Sequence, residues 1–89
     1  MGTAHIVRDS VLIQEEGGQT FAFDIDTGEA FELNATAATI LKGTREGLSP
    51  LEIARQLLSS LTEPTPEALV LQDVEETLLE LTNLGLCTI

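Results

Sequence analysis

The chain has 89 residues and a formal net charge of −11, a length for one modest core and a charge that repels nucleic-acid phosphates and anionic membrane surfaces. Its single cysteine, Cys87, excludes an internal disulfide and a thiolate metal cluster. No run approaches the roughly 20 apolar residues of a membrane span, and residues 1–8 lack the apolar run of a signal peptide. A cytoplasmic protein folding as a single domain over residues 1–89 is therefore expected. The 43% of hydrophobic residues include three aromatics, all Phe, so Leu, Ile, Val and Ala must fill the core. Nothing basic follows Arg55, while Glu63, Glu67, Asp73, Glu75, Glu76 and Glu80 do. Such acidity serves as a solvated surface or attracts a cationic peptide or a basic protein face.

The first third reads as strands. Ile6, Val7 and residues 11–13 are apolar and β-branched-rich, and they lead to Gly17–Gly18, a pair that supplies the positive φ angles of a tight hairpin. Residues 19–25 then alternate, with Phe21, Phe23 and Ile25 on one face and Thr20, Ala22 and Asp24 on the other. Asp26–Thr27–Gly28 is the next turn, in which Asp26 can cap its own backbone. Residues 29–33 alternate again with Phe31 and Leu33 inward, giving a three-stranded antiparallel meander.

The period changes to 3.6 near Asn34, which can cap a helix over about residues 35–43 that ends at Gly43 or Gly47. Ser49–Pro50–Leu51–Glu52 is a capping box with proline at the first helical position. It opens a helix whose apolar stripe is Ile53, Ala54, Leu57, Leu58 and Leu61. Thr65–Pro66–Glu67 repeats the cap-then-proline logic for a third helix, which runs to about Asn83 and stops at Gly85. Winding at about 100° per residue puts Val70, Val74, Leu78 and Leu81 on its core stripe. Leu69, Asp73 and Thr77 fall on one flank and Leu79 on the other. The tail, residues 86–89, is apolar and expected to pack back on the domain. Three strands followed by three helices make an α+β unit compatible with a winged helix-turn-helix arrangement.

The catalytic inventory is almost empty. Asp26–Thr27–Gly28 matches the triplet of dimeric aspartic proteases, but that chemistry needs paired carboxylates across a mostly β dimer, and here the triplet sits in a turn. The acidic spacing over residues 24–29 lacks the closing bidentate Glu of a calcium loop. His5, the only histidine, has no nucleophile in register, and Cys87 reads as a packing residue. Gly17–Gly18 joins two strands, unlike a phosphate loop. No metal or cofactor is expected, and a binding module is favoured over an enzyme.

The run Phe23–Asp24–Ile25–Asp26–Thr27–Gly28–Glu29–Ala30–Phe31–Glu32–Leu33–Asn34–Ala35–Thr36–Ala37 resembles the signature of the PqqD-like family: an apolar strand, D-x-x-T-G, a strand, then L-N-x-T-A. The similarity extends through Ile40, the capped second helix, Asp73–Val74, Leu78, Leu81 and Gly85–Leu86. It implies a winged helix-turn-helix fold without DNA binding. The function it implies is that of a recognition element, a peptide chaperone for ribosomally synthesised and modified peptides, lasso peptides among them. Such domains bind a precursor's leader as an added strand on the third strand of the meander, with side chains entering a cleft beside the third helix. Carried over, the peptide-binding residues are Glu29, Ala30, Phe31, Glu32 and Leu33 on the strand and Leu69, Asp73, Glu76 and Thr77 on the helix. The implied partners are a precursor peptide and a separate leader peptidase or radical S-adenosylmethionine enzyme. Members often carry an aromatic where Ala30 stands, which implies a shallower or differently shaped pocket here. An exposed strand edge could also pair with itself in a homodimer. The alternatives are an acidic protein-interaction module and a degenerate winged-helix regulator, although no helix here is basic.

Overall fold

The computed structural model describes residues 5–88. Residues 1–4 and Ile89, part of the stretches read above as the N-terminus and the apolar tail, lie outside the described residues. The element order is β1 (Ile6–Val7), β2 (Val11–Glu16), β3 (Gln19–Asp24), β4 (Ala30–Leu33), α1 (Ala35–Arg45), α2 (Pro50–Ser60), α3 (Glu67–Asn83) and β5 (Cys87–Thr88). The expected α+β arrangement is present: β2, β3 and β4 form an antiparallel sheet in that order, followed by the three helices. One feature was not expected. The N-terminal apolar run breaks at residues 8–10, and β1 pairs with β5 as a separate two-stranded ribbon through Ile6↔Thr88 and Val7↔Cys87. Pairing between chain ends leaves no local sequence signal.

The turns follow their glycines. Gly17 and Gly18 take φ of 61° and 80°, and the register Glu16↔Gln19 closes the hairpin around them. At the second turn Gly28 takes φ of 78°. The carboxylate cap comes from Asp24 rather than Asp26: Asp26 N–H donates to Asp24 Oδ1 at 2.9 Å, and Glu29 N–H donates to Thr27 Oγ1 at 3.2 Å. The D-x-x-T-G run is thus the device that turns the chain and launches β4.

Which face of the alternating β3 is covered could not be read from periodicity, and the structure decides it against the aromatics. Thr20, Ala22 and Asp24 face the helices, with Ala22 and Asp24 buried, while Phe21 and Phe23 lie on the outer face, half-buried. The register aligns Ile13, Ala22 and Phe31 across the inner face. Phe31 packs against the core and Leu33 is buried, as expected. Ala22 joins the core cluster with residues of the helices.

Asn34 caps α1 by accepting from Ala37 N–H at 2.7 Å. The helix runs two residues past the expected end at Gly43, which lies inside it. A Cβ at Gly43 would sit 2.9 Å from Ile53 Cγ1, so that glycine permits close packing of α2 on α1. Gly47, at φ 88°, follows the end of the helix instead. Both halves of the Ser49–Glu52 capping box form. Thr65 does not cap α3; its hydroxyl donates to Glu63 O, and Pro66 holds the cap position with no side-chain hydrogen bond. Val70, Val74, Leu78 and Leu81 are buried as the stripe required, joining Ile40, Leu41 and Ile53 in the core. Leu61 is 47% exposed and leaves its expected stripe. Gly85, at φ 82°, ends α3 and returns Leu86 and Cys87 to the core.

Burial raises the Asp24 pKa, but the N–H groups of Asp26 and Thr27 and the charge of Arg8 hold its carboxyl below the ordinary value of 3.8. The Glu52 carboxylate is likewise held low, first by the Ser49 N–H. A carboxyl with a depressed folded pKa stabilises the fold above its unfolded pKa, and that contribution disappears as pH falls through the folded value. Thermal melts should therefore decline as pH drops below about 4. The decline should be shallower in Asp24→Asn; an identical acid slope in the variant would show that Asp24 carries none of it.

Candidate functional site

The sheet has two edges, and they are treated differently. Asp24 N–H donates to Glu29 O at 2.9 Å. Hydrogen-bonded pairs alternate along an antiparallel ladder. With the register Ala22↔Phe31 and Thr20↔Leu33, Phe31 and Leu33 therefore spend their backbone groups on β3. Ala30 and Glu32 turn theirs away, toward the side where β4 has no neighbouring strand among the described residues. At the other edge, Ile25 N–H donates to Ser10 O, so by the same alternation Val11 faces outward from β2. There Val11 N–H donates to Arg8 O, and the Arg45 guanidinium donates to Val11 O. Lys42 pairs with Glu15 farther along the same strand. The β2 edge is obstructed at Val11; the β4 edge is open among the described residues.

β4 leads through Asn34 into α1, and the start of α1 shares a cavity wall with α3 that includes no residue of β4. α3 packs chiefly on α2 and α1, and β4 chiefly on β3 and α1. A cavity of about 430 Å³ lies there, lined by Ala35, Thr36 and Thr39 of α1, Leu57 and Leu61, Thr65, and Val70 and Asp73 of α3. Its wall is mostly apolar with Asp73 at the margin. Thr36, from the L-N-x-T-A element, is a lining residue that sequence reasoning did not single out, although the motif containing it was in view.

The expected site residues fall into four groups. Glu29, Ala30 and Glu32 are exposed along the open edge, while Phe31 and Leu33 belong to the inner face and reach a ligand only through backbone position. Asp73 lines the cavity. Leu69 is 54% exposed and Thr77 half-buried; Glu76 is exposed and accepts from Gln72 Nε2 at 3.3 Å. None of these last three lines the cavity. Leu79, on the opposite flank, is 60% exposed. So Leu69 and Leu79 are both free of the core packing that would have explained them away. The nearby bases are engaged: Arg55 pairs with Glu67 at 2.9 Å and Lys42 with Glu15. The flank is therefore negative.

A larger concavity of about 710 Å³ lies between β1 and the α1–α2 turn, at the opposite end of α1. Its arginines are committed, Arg45 to Val11 O and Arg8 to Gly85 O. Burial pushes the Cys87 thiol up to about 11, which keeps it protonated and inert at neutral pH. Among the described residues no cluster could hold a metal ion, and no helix is long and apolar enough to cross a membrane.

Comparison with known proteins adds the following. The family model described as coenzyme PQQ synthesis protein D (PqqD) matches residues 10–86. A solved structure of a lasso peptide synthetase B1 complexed with the leader peptide superposes with a TM-score of 0.81 at 23% identity, covering 98% of this chain and 100% of that one. TbiB1 in complex with the TbiA(beta) leader peptide gives a TM-score of 0.80 at 23% identity, over 92% and 93% of the two chains. No curated protein matches in sequence.

Proposed function

The chain belongs to the PqqD family, and from that premise we propose that it is a non-catalytic adaptor for peptide modification. It captures the leader of a ribosomally made precursor as a fourth strand on β4 and presents it to a separate modifying enzyme or leader peptidase. The observation that carries the reading is the open β4 edge. Ala30 and Glu32 offer outward N–H and C=O groups, and an extended peptide satisfies such groups by strand addition. Two solved structures of the same fold are complexes with leader peptides, which supports a leader as the ligand. The cavity below α3 would take an apolar leader side chain. Glu29 and Glu32 along the strand, with Asp73 and Glu76 on α3, favour a leader carrying Lys or Arg. The same charge opposes duplex DNA and self-pairing of two β4 edges.

The test is calorimetric titration with synthetic leader segments of short precursors encoded beside this chain, on wild type and three variants. Leu69→Ala and Asp73→Ala should each weaken binding at least about tenfold, equivalent to about 1.4 kcal/mol, while the thermal midpoint barely moves. Asp73→Asn should be milder if the carboxylate acts as a hydrogen-bond acceptor rather than as a charge. Unchanged affinity in both alanine variants would transfer the contact to the opposite flank, around Leu71, Glu75 and Leu79.

A further inference from the structure

The outer face of the sheet has no covering layer among the described residues. The helices lie on the Ala22 side, yet the outer side holds two of the three aromatics in the chain. The register sets Phe23 between Leu12 and Ala30, and Phe21 between Gln14 and Glu32. Neither Phe21 nor Phe23 packs against the core cluster. Leu12 is 41% exposed, and Ile25, continuing the same alternation past the strand, is 58% exposed. The charged residues of this face are Glu16 and Glu32, both acidic; it carries no Lys or Arg.

An aromatic-centred apolar patch with an acidic rim is the make-up of a protein contact surface rather than of a solvated one. Its rim also fits a cationic partner better than a second copy of a chain whose net charge is −11. The patch ends at β4. Any strand added there would continue the same face with its own alternate side chains.

We infer that the outer face, centred on Leu12, Phe21 and Phe23, docks the enzyme that acts on the captured peptide, through an apolar surface flanked by Lys or Arg on that enzyme. This rests on the leader-capture reading above. The enzyme then touches adaptor and leader strand on one continuous sheet face, so a loaded adaptor presents a larger contact than an empty one.

The experiment uses the full chain, a synthetic leader and the purified enzyme that processes the precursor. Phe21→Thr/Phe23→Thr keeps strand-forming residues and leaves the inner face untouched. It should stay folded, melting somewhat lower because two half-buried rings are lost, and keep wild-type leader affinity, while its affinity for the enzyme falls at least about tenfold. Phe21→Leu/Phe23→Leu, which keeps the apolar surface, should restore most of that affinity, and Glu16→Gln should weaken it at low salt only. Unchanged enzyme affinity in the threonine variant, with leader binding intact, overturns the docking face alone. Failure of the wild-type chain to bind any leader overturns the reading beneath it. A wild-type dimer in light scattering that the threonine variant abolishes assigns the face to a second copy instead, and the inference fails.

Discussion

Glu32→Pro should abolish leader capture without unfolding the chain. Glu32 is exposed, and the alternation of the β3–β4 ladder sends its N–H outward. Proline at this position deletes a donor that only an added strand would use, and its ring obstructs the approach. Leaving the partner carbonyl unsatisfied in a buried ladder costs about 1–3 kcal/mol, before the steric clash is counted. Binding should therefore drop by two orders of magnitude or beyond detection. Phe31→Pro provides the contrast. Its N–H belongs to the ladder with β3 and its side chain packs against the core, so that variant should lose stability itself. A folded Glu32→Pro chain with wild-type calorimetric affinity would eliminate strand addition at β4.

Leu78→Ala should produce the largest loss of stability among single truncations in α3. Leu78 is 1% exposed, in the middle of the buried stripe that holds α3 to the rest of the core. Large-to-small replacement of a buried leucine costs about 2–5 kcal/mol through lost transfer energy and the residual cavity. A domain of this size has roughly 5–10 kcal/mol in all. At about 4–8 °C per kcal/mol the midpoint should fall by some 10–30 °C in a circular-dichroism melt. Leu79→Ala, one residue along but 60% exposed, should stay within about 0.5 kcal/mol of wild type. Equal shifts for the two would mean that α3 is oriented differently from the structure described.

Much of this architecture was legible before any coordinates. The Gly17–Gly18 hairpin, the Ser49 capping box, the Val70–Val74–Leu78–Leu81 stripe and the Gly85 stop each rest on a local rule, and each is found. What escaped depends on partners distant in sequence. Alternation in β3 is the same whichever face is covered, so Phe21 and Phe23 could not be placed until Ala22 was seen in the core. Gly43 looked like a helix stop because its other use, admitting Ile53, requires knowing that α2 crosses there. At the candidate site, the motif marked the strand whose outer edge carries no neighbouring strand among the described residues. The split between Ala30 and Glu32, which face the open edge, and Phe31 and Leu33, which do not, needed the phase of the hydrogen-bond ladder. The cavity wall at Thr36 and Thr39 needed the crossing of α1 and α3.

The unequal edges also bear on how the protein behaves when crowded. Head-to-tail stacking of sheets, β4 of one molecule on β2 of the next, repeats without closing and leads to fibres. That stacking requires two receptive sides. With the Arg45 guanidinium and the Arg8 carbonyl already occupying Val11, one side is hindered where its strand begins. The remaining self-association, β4 against β4, uses up both open sides and closes after two molecules. A chain can thus keep one adhesive strand bare for a guest while Arg8 and Arg45 hinder polymerisation by occupying the start of the other edge.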